Sequence, residues 1–164
     1  MDFYTADTHF GDSDILKYYT NRPFITIQDL ETTFVNNWYN IGINDTDRIF
    51  VLGDIGNSDI WRDLPGTKIL IKGNHDVHHY QHYLRHGFDE AYDYPIIKDS
   101  FLMLSHEPLY VNESMPYVNI FGHIHDNPNY KTFSSRGACV CACRHNFTLI
   151  SEKDIMNAIK EENK

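Results

Sequence analysis

The chain has no apolar run approaching the about 20 residues that a membrane-spanning helix needs, and no secretory pattern of charged start, apolar middle and small-residue cleavage site opens it. Basic residues are scarce: 14 Lys and Arg stand against 23 Asp and Glu, a formal net charge of −9 with histidine neutral. Binding to long nucleic acid draws on clustered Lys and Arg that displace counterions, and this balance argues against it. Acids that hold divalent cations would cancel part of that charge locally, so the balance weakens the nucleic-acid reading without excluding it. Cysteine is sparse, with only Cys139, Cys141 and Cys143. No Cys-x-x-Cys pair exists, which excludes a zinc ribbon. Their spacing of two places all three on one strand face, as reduced, packed, small apolar residues. Linkers, repeats and low-complexity tracts are also missing. These absences point to a single cytoplasmic domain over residues 1–164, with no membrane partner.

What is present suffices for a core. At 164 residues and 41% hydrophobic content, a chain buries roughly 70% of its unfolded surface. The first half reads β-α-β-α-β. Residues 2–6 form a strand, residues 12–19 a short helix, and Thr26 with Asp29 opens a longer helix in which Leu30, Phe34, Trp38 and Ile41 repeat at helical spacing. Residues 48–52 are a second strand, 58–64 a weak helix, 68–72 a third strand and 77–86 a further helix. Such an order predicts parallel strands joined by right-handed crossovers. The second half is richer in short strands, at 94–98, 101–105, 117–121 and 137–145, with Asp99-Ser100 as a tight hairpin turn. Ser151 and Asp154 cap a last helix that carries Ile155 and Ile159 inward.

The strand ends carry the chemistry. Asp7 and His9 follow the first strand, Gly53-Asp54 the second, and Gly73-Asn74-His75-Asp76 the third. His106 follows residues 101–105, and Gly122-His123-Ile124-His125 follows residues 117–121. Open α/β sheets bind ligands beyond the carboxyl ends of their strands. In Asp-x-His and His-x-His the two side chains share one side of an extended segment. Neutral imidazole with carboxylate suits Mn, Fe, Zn, Ni or Co better than a thiolate site or a calcium cage. Any one of these residues alone is more often a surface group or a satisfied polar contact. Together they outnumber what one tetrahedral ion takes, and suit two ions sharing a carboxylate.

This ordered set, Asp7-x-His9, Gly53-Asp54, Gly73-Asn74-His75-Asp76, His106 and Gly122-His123-x-His125, resembles the calcineurin-like metallophosphoesterases, of the small single-domain bacterial and phage type. The resemblance spans nearly the whole chain. It implies a four-layer α/β/β/α sandwich, two mixed β-sheets flanked by helices. It also implies two divalent ions, manganese foremost: Asp7, His9 and His125 for one, Asn74, His106 and His123 for the other, and Asp54 bridging. The implied reaction is hydrolysis of a phosphoester, a diester in preference to a monoester, by a metal-activated water. His75 would be the general acid, and Asp76 is the acid of its motif. Asn57, at the Gly-Asp-x-x-Asn position, would contact the substrate phosphate or support the metal ligands from behind.

Other residues are weighed on their own. Arg22, in Asn21-Arg22-Pro23, could hold a substrate phosphate, against the plainer reading of a helix end. His78, His82 and His86 make a stripe on the helix over 77–86, read as a solvated face rather than a metal site. Small bacterial and phage relatives often carry histidine directly after Phe-Gly, where this chain has Asp12. With no room for a cap domain, the expected partner is a small phosphoester substrate such as a nucleotide. The competing readings are a metal-dependent nuclease and a non-enzymatic protein-interaction scaffold on the same fold. A scaffold would be expected to have lost His75 or a ligand, and none is missing.

Overall fold

Strand β1 (Asp2–Thr5) sends alternate side chains to opposite sides, and both sides are buried. Phe3 joins a core cluster with Leu30, Phe34, Trp38 and Trp61, and Tyr4 joins another with Leu102, Leu104, Val118 and Ile120. Strands β2 (Arg48–Val51) and β3 (Thr67–Ile71) divide in the same way. Ile49, Val51 and Leu70 face the helices, whereas Phe50, Ile69 and Ile71 face the second sheet. Burial on both faces explains why these strands read as unbroken apolar runs rather than as alternating ones. The structure, a computed structural model, describes residues 1–19, 23–57 and 59–164.

Helix α1 (Ile27–Ile41) starts at a capping box. Asp29 N–H donates to Thr26 Oγ1 at 3.1 Å, and Thr26 N–H donates to Asp29 Oδ2 at 3.0 Å. It buries Ile27, Leu30, Phe34 and Trp38, while Ile41, expected on that stripe, is exposed at its end. Helix α2 (Asp59–Arg62) and helix α3 (Tyr80–Arg85) are shorter than expected. Residues 12–19 give only a 3-10 turn, Ser13–Lys17, capped by Asp12.

Two five-stranded mixed sheets result. With β4 (Glu90–Tyr92) and β10 (Ile150–Ser151), the first has the order β10-β1-β2-β3-β4, with β10 antiparallel and the rest parallel. The second comprises β5 (Ile96–Lys98), β6 (Leu102–Ser105), β7 (Val118–Phe121), β8 (Phe133–Ser134) and β9 (Gly137–Cys139), in the order β5-β6-β7-β9-β8. Its centre is parallel and its edges antiparallel. The sheets pack through the cluster of Tyr4, Phe50, Ile71, Leu104, Ile120 and Ala138. Helices flank them. The faces of α1 to α3 lie on the outer side of the first sheet, and α4 (Glu152–Glu162) runs against β10 and β1 of one sheet and β8 and β9 of the other. The expected strand at 137–145 ends early, and a 3-10 turn, Ala142–His145, follows it. Asp99 and Ser100 form the expected hairpin turn, both with positive φ. No helix of the described residues is long and apolar enough to cross a membrane.

Candidate metal centre

The carboxyl ends of the parallel strands β1, β2, β3, β6 and β7 point to one region and deliver Asp7, Asp54, Asn74, His106 and His123 there. Two acid and histidine groups form. In each, Asp7 with His9 and His125, and Asp54 with His106 and His123, the side chains offer ligand atoms within 4.8 Å of one another. Asp54 stands between them: its Oδ2 is 3.6 Å from His9 Nε2 and 3.4 Å from His106 Nε2. Asn74 Oδ1 lies 2.9 Å from His106 Nε2, which places it in the second group. A third acidic group, Asp2 with Asp99 and Glu152, is gathered around the Lys98 ammonium at 2.9, 2.5 and 2.7 Å, and Asp2 also pairs with Arg48.

The pairs Asp7/His9 and His123/His125 do not converge through extended backbone, as their spacing suggested. Asp7, His9, Asp54, His123 and His125 all have positive φ, a costly conformation for residues with a Cβ and one that persists only where the surroundings over-determine it. The fixings are visible. Asp7 N–H donates to Gly53 O and His9 N–H to Asp54 O, both at 3.0 Å, and His123 N–H donates to the Asp7 carboxylate at 2.8 Å. Two glycines make room: a Cβ on Gly53 would lie 2.5 Å from Gly73 N, and one on Gly73 would lie 2.2 Å from Asp54 Oδ1.

The electrostatics ask for a positive charge. His106 Nδ1–H donates to the Leu52 carbonyl at 2.8 Å, so in the neutral ring Nε2 carries a lone pair. That lone pair would face Asn74 Oδ1, Asp54 Oδ2 and His123 Nδ1, the last at 3.1 Å. Burial opposes a charge on His106, but the Asp54 and Asp7 carboxylates outweigh it and bring the ring up to about 9. Burial pushes the Asp7 carboxyl up to about 7 against the pull of His106, and burial with the neighbouring His9 pushes His125 down to about 4. His9 Nε2 and His125 Nδ1 are buried without a hydrogen-bond partner. Buried polar atoms are rarely left so. These His and Asp groups, buried but for His123 and His125, could hold metal.

His75 lines a cleft of about 440 Å³ together with His9, Asp54, His123 and His125. Its N–H donates to Asp54 Oδ1 at 2.9 Å. Asp76 does not meet the His75 ring among the described contacts. Its carboxylate accepts from Asp54 N–H (2.7 Å), Gly73 N–H (2.9 Å) and Ile55 N–H (3.2 Å), so it ties the second motif to the third. Asn57 is not in the cleft; its Oδ1 takes the Asp59 N–H at the start of α2. Arg22 lies outside the described residues. Asp12, Asp14 and Tyr18, from the segment that follows the first motif, also line the cleft. Tyr19, whose ring is 6.2 Å from that of His125, has a buried hydroxyl without a partner. Of the cysteines, Cys139 and Cys141 are buried with sulfurs 3.2 Å apart, and Cys143 sits in the 3-10 turn.

The protein is thus an α/β protein of two mixed sheets with acid and histidine groups at its strand ends. No family model matches the chain. It is 28% identical over 132 residues to the uncharacterized protein MJ1445 of Methanocaldococcus jannaschii, covering 70% of this chain and 73% of that one. The crystal structure of AQ665 from Aquifex aeolicus, a protein of unknown function, is similar at a TM-score of 0.71 and 26% identity, over 96% of this chain and 98% of that one. That of Pseudomonas putida nuclease MPE is looser, with a TM-score of 0.48 and 19% identity over 76% of this chain and 60% of that one. At that level nothing passes from the nuclease to this chain.

Proposed function

We propose that residues 1–164 form one domain of the calcineurin-like metallophosphoesterase type, hydrolysing a phosphodiester in preference to a monoester. The observation that carries this reading is Asp54 Oδ2, within 3.6 Å of a histidine from each group. A carboxylate so placed could be shared by two ions. Asp7, His9 and His125 would hold one ion, Asn74, His106 and His123 the other, with Asp54 shared. The orphaned His9 Nε2 and His125 Nδ1 fit that assignment. Two divalent ions there, manganese first among those the donor set accepts, would supply charge for the phosphoryl oxygens and a water acidic enough to attack.

The chain's own residues do the rest. His75, exposed in the cleft wall with its backbone pinned to Asp54, would give its proton to the leaving oxygen. Asp76 would act as a positioning residue that holds Asp54 and Gly73 in register, not as the orienter of His75. The positive-φ residues would keep the donors aimed before substrate arrives, so little reorganisation remains for the reaction. The test is hydrolysis of bis(p-nitrophenyl) phosphate and p-nitrophenyl phosphate by metal-stripped protein resupplied with Mn²⁺, beside His75→Ala. Diester turnover that needs the metal and falls by about 100-fold or more in the variant is expected. Faster monoester turnover would overturn the diester preference, and no turnover with either would overturn the reading.

A further inference from the structure

A second cavity opens at the carboxyl ends of β3 and β6, where the two sheets part. It holds about 270 Å³ and is distinct from the cleft that His75 lines. Ile71 makes its floor continuous with the core cluster between the sheets, and Pro95 and Leu109 add apolar walls. Asn74 and His106 form its edge, and both belong to the second acid and histidine group.

The loop that carries Leu109 is fixed in place. Ser105 Oγ–H donates to Glu107 O at 2.7 Å, and Leu109 N–H donates to Asn119 Oδ1 at 2.7 Å, so the chain is held on both sides of Pro108. Asn119 is 1% exposed, and its Nδ2 donates to Ser105 Oγ at 2.8 Å and to Met103 O at 2.9 Å. A buried network so satisfied rigidifies the loop it holds, and a wall already in place saves the cost of ordering it on binding. Glu107, on that loop, also lines the cavity. Among the described residues its exposed carboxylate makes no hydrogen bond or ion pair. The cavity thus offers apolar walls and one free pair of acceptor oxygens. Its volume lies below the about 300–1,000 Å³ of sites for drug-sized ligands and suits a single ring system.

We propose that this cavity binds the base of a nucleotide ester, and that Glu107 selects guanine by accepting its N1–H and N2–H together. Guanine is the common base that presents two donors side by side, which a carboxylate meets with both oxygens. Adenine and cytosine set an acceptor nitrogen beside their amine, and uracil sets its one donor between two carbonyl oxygens. The inference rests on the phosphodiesterase reading, since Asn74 and His106 would hold the phosphoryl group at the cavity's edge. His75 does not line the cavity, so the arm seated there is the one that keeps the phosphate. Water adds to phosphorus, the bond to the other alcohol breaks, and guanosine monophosphate remains. The substrate class is an ester of a guanosine phosphate.

The p-nitrophenyl esters of guanosine, inosine and adenosine 5′-phosphate remove the two donors one at a time. With the manganese-loaded full chain, kcat/KM is expected to fall in that order, by about 10-fold or more from first to last. In Glu107→Ala the guanosine ester should drop to the level of the adenosine ester. Equal kcat/KM for the three esters, or a preference that survives the variant, overturns the inference. A loss in the variant shared equally by all three gives Glu107 a structural role and overturns it too. Bis(p-nitrophenyl) phosphate carries no base, so its turnover by the unsubstituted chain reports separately on the phosphodiesterase reading. Should that substrate be inert, calorimetry with guanosine and adenosine 5′-monophosphate in the presence of Mn²⁺ decides. Tighter binding of the guanosine nucleotide that is lost in Glu107→Ala supports the cavity, and equal binding or none overturns it.

Discussion

Asp54 and Asp76 show how two acids of adjacent motifs divide their tasks. Asp54 places one oxygen between two histidine groups and accepts the His75 N–H with the other. Replacing it by alanine should abolish tight binding of both ions, whereas His75→Ala should keep both; metal content after dialysis separates the two cases. Asp76 spends its carboxylate on the N–H groups of Gly73, Asp54 and Ile55. Truncation strands these donors at about 1–3 kcal/mol for each that stays buried and bare. Asp76→Ala should therefore lower the urea midpoint strongly, and Asp76→Asn, which retains an acceptor oxygen, less so. If Asp76→Ala leaves stability unchanged and lowers only kcat, the acid acts on His75 after all.

At the scale of elements, α1 is the piece whose sequence and structure agree best. Its capping box contributes about 1 kcal/mol through Thr26, so Thr26→Ala should cost about that much and leave turnover intact. Trp38 is fully buried against Trp61 and donates its Nε1–H to the Pro65 carbonyl at 3.2 Å. Trp38→Ala should cost about 3–5 kcal/mol, read from chemical denaturation with metal removed. A loss below 1 kcal/mol would mean that this helix is not fixed by its aromatic face.

For the whole molecule, the metal-free centre has a pH signature. His106 is brought up to about 9 from an ordinary 6.5, so between those values the folded state holds a proton that the unfolded state has lost. Its contribution is complete below about 6.5 and disappears as pH rises through about 9, leaving Asp7 and Asp54 to repel each other. Asp7, raised to about 7, acts in the same direction between about 3.8 and 7. The melting temperature of chelator-treated protein should therefore fall from pH 6.5 to 9. Bound ions replace the proton, so Mn²⁺ should flatten the slope and release protons on binding at pH 7. A slope unchanged by metal would separate the ion from this centre.

The sequence by itself determined the order of the strands in the first half, the caps of α1 and α4, and the acids and histidines that end the parallel strands. Those features are local: periodicity, a cap three residues from its partner, a glycine beside a polar cluster. Only the tertiary structure decided the edge strands β4, β8 and β10, of 3, 2 and 2 residues, because such strands exist by pairing with a neighbour and carry too few residues for a pattern. It also shortened the helix over 77–86 to six residues while keeping His78 stacked on His82, through a hydrogen bond to Tyr83 that no spacing reveals. Cys143 left the expected strand face because the chain turns into a 3-10 helix after Cys141. The left-handed backbone at Asp7, His9, Asp54, His123 and His125, and the place of Asp54 between two groups, belong to the same class. Strain at one strand end is held by atoms from others, and residues as far apart in the chain as His9 and Asp54, or Asp7 and His123, share a site only once both sheets have formed around them.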